Sequence, residues 1–172
     1  MNEHEFTVVV SGVDPESDYE DSFFEAGCDD ATLMLMNGLV AVCFARQATS
    51  FEAAIVSALE DIGKTGAKVE RLEPDFLVSR SEIAERAKLT KAAVSNYAAG
   101  ERGENFPAPV ARITSANPLW DWVIVAEWLA TRHQLPEAEV RQAKVMRAIN
   151  RHLANAGQLP AAQLHQLIAE AA

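Results

Sequence analysis

The segment LTKAAVSNY, residues 89–97, sets small and hydrogen-bonding side chains around one valine. On a helix, Val94 and Tyr97 share one face, and Thr90, Lys91, Ala92, Ser95 and Asn96 are left on the other. That outward set has hydrogen-bonding capacity but none of the bulk of a packing face. An asparagine can pair with adenine through two hydrogen bonds, and a lysine can reach guanine. Thr90 and Ser95 suit phosphates or bases, and the Ala92 methyl suits a thymine methyl. The chemistry these residues offer is recognition inside a nucleic-acid groove.

Reactive constellations are not found. There is no Gly-rich phosphate loop, no Ser/His/Asp order and no metal-ligand spacing, so neither an enzyme nor a cofactor is expected. Asp29-Asp30, after Cys28, falls far short of the ligand number a cation cage requires and reads as a solvated loop. His4, His133, His152 and His165 are scattered, as structural or surface residues are. Cys28 and Cys43 form no CxxC pair, which fits a reduced, cytoplasmic compartment without disulfides. The start, MNEHEFTVVV, has no basic region or long apolar run, so it does not read as a signal peptide. No run of about 18 apolar residues exists to span a membrane.

Charge is uneven along the chain. Residues 1–76 hold 4 Lys or Arg against 16 Asp or Glu, a net of −12, and residues 77–172 hold 11 against 9, a net of +2. Nucleic acid would be repelled by the first part, so contact with it must come from the second. The acidity serves either solubility or an acidic partner-binding face.

In the first part, EFTVVVSG alternates Phe6, Val8 and Val10 with Thr7, Val9 and Ser11, a strand of period two. A helix follows the Asp14-Pro15 turn, with Tyr19, Phe23 and Phe24 on one face and Gly27 as its stop. ATLMLMNGLVAVCFARQA reads as a hairpin folded at Asn37-Gly38. The next helix starts from a Thr49/Glu52 capping box. It carries Phe51, Ala54, Ile55, Ala58, Leu59 and Ile62 at helical spacing and ends at Gly66. In AKVERLEPDF, Val69 and Leu72 fall out of phase, which predicts an edge strand or a bulge. The order β-α-β-β-α-β is the split-βαβ arrangement of a ferredoxin-like sandwich. Acylphosphatases use this fold, but their phosphate-cradling loop and its arginine have no counterpart in VSGVDPESD. The fold also serves sensors and dimerisation modules, and it does not decide function.

In LVSRSEIAERAKLTKAAVSNYAAGERG, Ser81 and Glu82 start a short helix with Ile83, Ala84 and Ala87. Thr90 caps a second helix, which ends near Gly100. Two short helices crossing closely need a small residue at the crossing (Ala84), an apolar plug under the turn (Leu89) and a β-branched anchor (Val94). This set resembles the helix-turn-helix superfamily. One departure is Lys88, where many members have glycine, so Lys88 must accept a left-handed backbone or the turn must differ. A plain helical hairpin in a core is the alternative. After a polar loop, FPAPVARI, a turn at TSANP, and LWDW leading into a helix resemble the wing of MerR and AlpA/excisionase-type winged helix-turn-helix proteins. The matching residues are Phe106-Pro107, Pro109-Val110, Trp120 or Trp122, Val125 and Trp128-Leu129, with the tryptophans as core. The resemblance implies a recognition helix in the major groove and a wing near the backbone. Arg80, Lys88, Arg102 and Arg112 would then serve phosphates.

The tail carries an apolar stripe (Val140, Ala143, Met146, Ile149, Leu153) and a basic one (Arg141, Lys144, Arg147, Arg151), then a last helix with Leu164, Leu167 and Ile168. These helices either close the core or form a dimerisation hairpin. The basic stripe could also meet the acidic part in an autoinhibitory contact. The expectation is an α+β protein: a ferredoxin-like domain (1–76), a winged helix-turn-helix domain (77–134) and C-terminal helices (135–172). Its function would be that of a dimeric regulator of transcription on double-stranded DNA. A basic protein partner or a small ligand would meet its acidic domain. The competing expectations are an antitoxin-type repressor that neutralises a protein partner and an enzyme with a DNA-targeting module.

Overall fold

The computed structural model describes residues 1–171. They form two compact units: Met1–Pro74 with the chain from Ala148 onward, and Asp75–Arg147. The fold is α+β, a four-stranded antiparallel sheet with two helices followed by a mostly helical region. No helix among the described residues is long and apolar enough to cross a membrane.

The first unit begins with β1 (Asn2–Ser11), α1 (Tyr19–Ala26), β2 (Ala31–Met36), β3 (Leu39–Ala48), α2 (Phe51–Lys64) and β4 (Lys68–Glu73). The strands lie in the order β2-β3-β1-β4. Phe6, Val8 and Val10 of β1 are buried with Val40, Val42 and Phe44 of β3 and with the inward stripe of α2. Asn37 and Gly38 turn the β2–β3 hairpin with φ of 52° and 79°, the left-handed pair that matches strand twist. In β4, Arg71 pairs with Val9 and Val69 with Val10, so Glu70 is an extra residue in the ladder. This bulge explains the broken alternation, and β4 is also an edge strand.

Several local expectations are corrected. Phe24 is 64 % exposed while Phe23 is buried, because neighbouring residues on a helix point about 100° apart. The cap of α2 is Ser50, whose hydroxyl accepts from the Ala53 N–H, so the Thr49/Glu52 capping box does not form. Asp30 is no solvated loop residue: it accepts two hydrogen bonds from Arg46 at 2.8 and 2.9 Å. The same guanidinium reaches Asp61 at 2.8 Å, Ser57 at 3.1 Å and the Gly27 carbonyl at 2.7 Å. Burial alone would lower the Arg46 pKa, but the bonds to Asp30 and Asp61 outweigh it and hold the group above its ordinary value. Burial, and then the charge of Asp61, push the Cys28 thiol up to about 11, which keeps it protonated and unreactive at neutral pH.

The second unit contains β5 (Leu77–Val78), α3 (Arg80–Arg86), α4 (Lys91–Ala98), β6 (Trp120–Asp121), α5 (Trp122–Ala130) and the start of α6 (Glu137–Ala156). β5 and β6 pair antiparallel. The start of α3 is also corrected: its cap is Ser79, two residues before Ser81, in a complete capping box with Glu82. Trp120, Trp122 and Trp128 are buried in one core with Ile83, Ala84, Val94 and Leu129. Of the tail's basic stripe, Lys144 pairs with Glu127 at 3.1 Å and Arg147 with the buried Asp121 at 2.9 Å, all within this unit.

The tail is divided between the units. Val140, Ala143 and Met146 are buried in residues belonging to the second unit. Ile149 and Leu153, with Leu164 and Ile168 of α7 (Ala161–Ala171), are buried in the first. There Asn150 closes the β4 backbone, accepting from the Leu72 N–H at 2.7 Å and donating to the Leu72 carbonyl at 2.9 Å.

This division sets a truncation test. A chain cut to residues 77–172 keeps Ile149, Leu153, Leu164 and Ile168 but loses the sheet of their unit. It should bind a hydrophobic dye and aggregate, whereas residues 75–147 should remain monodisperse in size-exclusion chromatography. The reverse result would contradict the division.

Candidate nucleic-acid interface

α3 and α4 are joined by a turn whose hydrogen bonds define its geometry. The Leu89 N–H donates to the Ala84 carbonyl at 2.8 Å and the Lys88 N–H to the Glu85 carbonyl at 3.2 Å, which is the Schellman motif. Lys88 occupies its left-handed position with φ 54°, where glycine is usual. Its side chain is exposed, so the amine is free to point into solvent at the head of α4. Ile83, Ala84, Ala87 and Val94 are buried, and Leu89 is half-buried against them. The small residue, the plug and the anchor therefore meet in one core.

Thr90 caps α4, its hydroxyl oxygen accepting from the Ala93 N–H at 3.1 Å. The hydroxyl hydrogen is still available to a ligand. Lys91 and Ala92 are exposed, and Ser95 and Asn96 are half-buried. Ala99, just past the helix, is exposed and lies two turns beyond Ala92 on the same face. It belongs to the candidate surface, and its signal in the sequence was its seven-residue spacing from Ala92. α4 ends in a second Schellman pair: the Glu101 N–H donates to the Asn96 carbonyl at 3.0 Å and the Gly100 N–H to the Tyr97 carbonyl at 3.1 Å.

The other face of α4 is held by aromatic packing. Tyr97 meets Trp128 edge-on with centroids 5.1 Å apart, and Phe106 meets the same ring at 5.0 Å. The chain between them passes through Gly103, at φ 69°. A Cβ on Gly103 would lie 2.7 Å from Trp128 and 2.9 Å from Tyr97, so no side chain fits there.

The segment expected to form a wing is a loop closed by one bridge, Ala111 to Leu119. Pro107, Pro109 and Pro118 lack the N–H a longer ladder needs, and Arg112 turns the chain at φ 51°. The loop base is fixed to the core through indole donors, Trp120 to the Pro107 carbonyl at 2.9 Å and Trp128 to the Glu104 carbonyl at 3.1 Å. Arg112 and Ile113 are exposed on the loop, Ile113 by 70 %.

The expected site residues thus fall into two groups. Lys88, Thr90, Lys91, Ala92, Ser95 and Asn96 lie together on the turn and on α4. Arg80 is exposed at the start of α3, Arg102 in the loop after α4 and Arg112 on the bridged loop. The basic residues divide cleanly by partner. Arg46, Lys64, Lys68 and Arg71 are all in ion pairs within the first unit. In the second unit Arg86 lies over the Trp122 ring and Arg132 over Trp128. Arg141 and Arg151 are engaged as well. Among the described residues, Arg80, Lys88, Lys91, Arg102 and Arg112 make no side-chain hydrogen bond or ion pair with the protein. Clusters of His, Cys, Asp or Glu able to hold a metal ion are absent among the described residues.

Two substitutions test this architecture through the denaturant midpoint of unfolding. Lys88→Gly removes the Cβ from a left-handed position and should stabilise the second unit by about 1 kcal/mol. Gly103→Ala forces a side chain against Trp128 and Tyr97 and should destabilise it by about 1–3 kcal/mol. Equal midpoints for wild type and both variants would contradict the turn and the packing described.

No family model matches the chain, and no match to it was found among curated proteins or solved structures.

Proposed function

We propose that the second unit is a winged helix-turn-helix module and that the protein is a sequence-specific regulator of transcription, bound to double-stranded DNA as a homodimer. α4 is the recognition helix, entering the major groove with Lys91, Ala92, Ser95, Asn96 and Ala99 toward the bases. Lys88, Thr90, Arg80, Arg102 and Arg112 serve phosphates, and the bridged loop is the wing. The observation that carries this reading is the location of the unpartnered cations. Among the described residues, all of them fall in the sequence between Arg80 and Arg112, the stretch that contains α4 with its face of small hydrogen-bonding side chains. A packing hairpin has no use for such a face, whereas a groove surface requires both the free charge and the absence of bulk. In the first unit, the element order and the strand order β2-β3-β1-β4 support a ferredoxin-like sandwich.

A second reading has its own support. Every Lys and Arg of residues 1–76 is in an ion pair with a carboxylate of the same unit, so none is left to meet the exposed Glu20, Asp21, Glu25 and Asp29. That favours a repressor whose acidic unit also captures a basic protein partner.

The test is selection of a binding site from random duplex DNA, followed by fluorescence anisotropy across a salt series. Asn96→Ala and Lys91→Ala should each cost about 1–3 kcal/mol on the selected site and little on random DNA. Arg112→Ala should weaken both alike and reduce the slope of log K against log salt by about 1. If no sequence is enriched, or if the α4 variants bind the selected site like wild type, the proposal fails.

A further inference from the structure

The two edges of the four-stranded sheet are treated differently. β4 carries Lys68, Glu70, Arg71 and Glu73, is bulged at Glu70, and has the backbone of Leu72 closed by Asn150. Charge, bulge and cover are the standard protections of an edge against another strand. β2 has none of them. Its sequence, ATLMLM, contains no charge and no proline, it pairs with β3 alone, and its register runs unbroken from Ala31 to Met36. Met34, Leu35 and Met36 are 45, 49 and 57 % exposed.

The ladder shows which backbone groups are open. The Ala45 N–H donates to the Asp30 carbonyl at 3.1 Å. Alternation along an antiparallel pair then gives the β3-facing bonds to Thr32, Met34 and Met36, and turns the N–H and C=O groups of Leu33 and Leu35 outward. Beside this edge is a shallow groove lined by Glu20, Asp21, Phe24, Cys28 and Leu33. Its apolar wall is Phe24, and its rim is acidic.

We propose that β2 is a docking edge at which an extended segment of another protein, carrying apolar and basic residues on one and the same face, adds as a fifth strand. Its backbone pairs with Leu33 and Leu35, and on its helix-side face apolar side chains cover Leu33, Leu35 and Phe24 while a lysine or arginine of that same face meets Glu20 and Asp21. Charge complementarity selects this occupant. A second copy of the chain would bring the same uncompensated acids to the same rim, whereas a basic segment neutralises them. The proposal rests on the second reading above and locates the partner site that reading requires.

The experiment uses the full chain and three short labelled peptides: one in which valine and lysine take turns along one face of a strand with threonine on the other face, one with glutamate in place of that lysine, and one with the first peptide's composition but its lysines in a single block. Anisotropy should report binding of the first peptide alone. Hydrogen exchange should show new protection in residues 31–36 and none in residues 68–73. Leu33→Pro removes one outward N–H without touching the β3 ladder and should weaken binding about tenfold. Phe24→Asp, which leaves the strand intact, should also weaken it. Binding with protection elsewhere overturns the β2 site and leaves the partner reading standing. Equal binding of the blocked peptide or of the glutamate peptide overturns the strand or the charge argument respectively. Failure of every peptide to bind overturns the proposal. Protection of residues 31–36 that rises with the chain's own concentration, without peptide, assigns the edge to a second copy and overturns it as well.

Discussion

The Trp128 ring is where the second unit is held together. Tyr97 of α4 and Phe106 of the following loop both meet it edge-on, and the Arg132 guanidinium lies 3.9 Å above it. Its indole N–H holds the Glu104 carbonyl, to which Arg132 also donates at 2.7 Å. α4 is only eight residues long, too short to persist on propensity alone. It is fixed from one side, by Val94 in the core and by Tyr97 on this ring. Fixation from one side leaves the opposite face free of bulk. Gly103 is part of the same constraint, since the loop can return over the ring only where no side chain intervenes.

The two units use charge in opposite ways. In the first, cations organise the interior. Arg46 is 7 % exposed and gathers Asp30, Asp61, Ser57 and the Gly27 carbonyl, joining the ends of α1 and α2 to β3. A buried pair of this kind is weak evidence for stability, because desolvation offsets much of the attraction, but it fixes geometry strongly. In the second unit the buried Asp121 pairs with the half-buried Arg147 and also caps α5 by accepting from the Val123 N–H at 3.0 Å. Around α3, α4 and the bridged loop every cation but Arg86, which lies over the Trp122 ring, is left to solvent. The uneven charge of the sequence is therefore sharper in three dimensions, since the bases of the acidic part are consumed internally.

Much of the architecture was legible in the chain. Period-two alternation in β1, the Asn37-Gly38 hairpin, the helical spacing of α2 and the set Ala84, Leu89 and Val94 each follow from sterics within a few residues, where the sequence is its own environment. Lys88 belongs with them: its left-handed backbone is required by the turn on either side, so its departure from glycine could be noticed before its φ was known. Other features depend on atoms far away in sequence. Asp30 looked like half of a solvated acidic pair until β3 and α2 brought Arg46 and Asp61 to it. Phe24 matched the helical face of its neighbour in composition, but the position of α1 on the sheet decided that only Phe23 is covered. Composition marked the cations of residues 80–112 and those of residues 140–151 alike. Tertiary packing separated them, by giving Arg147 and Lys144 carboxylates from β6 and α5 and giving Arg80, Lys91 and Arg112 none. Local sterics propagate over a turn or a hairpin and can be read from spacing, whereas the pairing of charges and the cover on a helix face are long-range outcomes of how the elements pack.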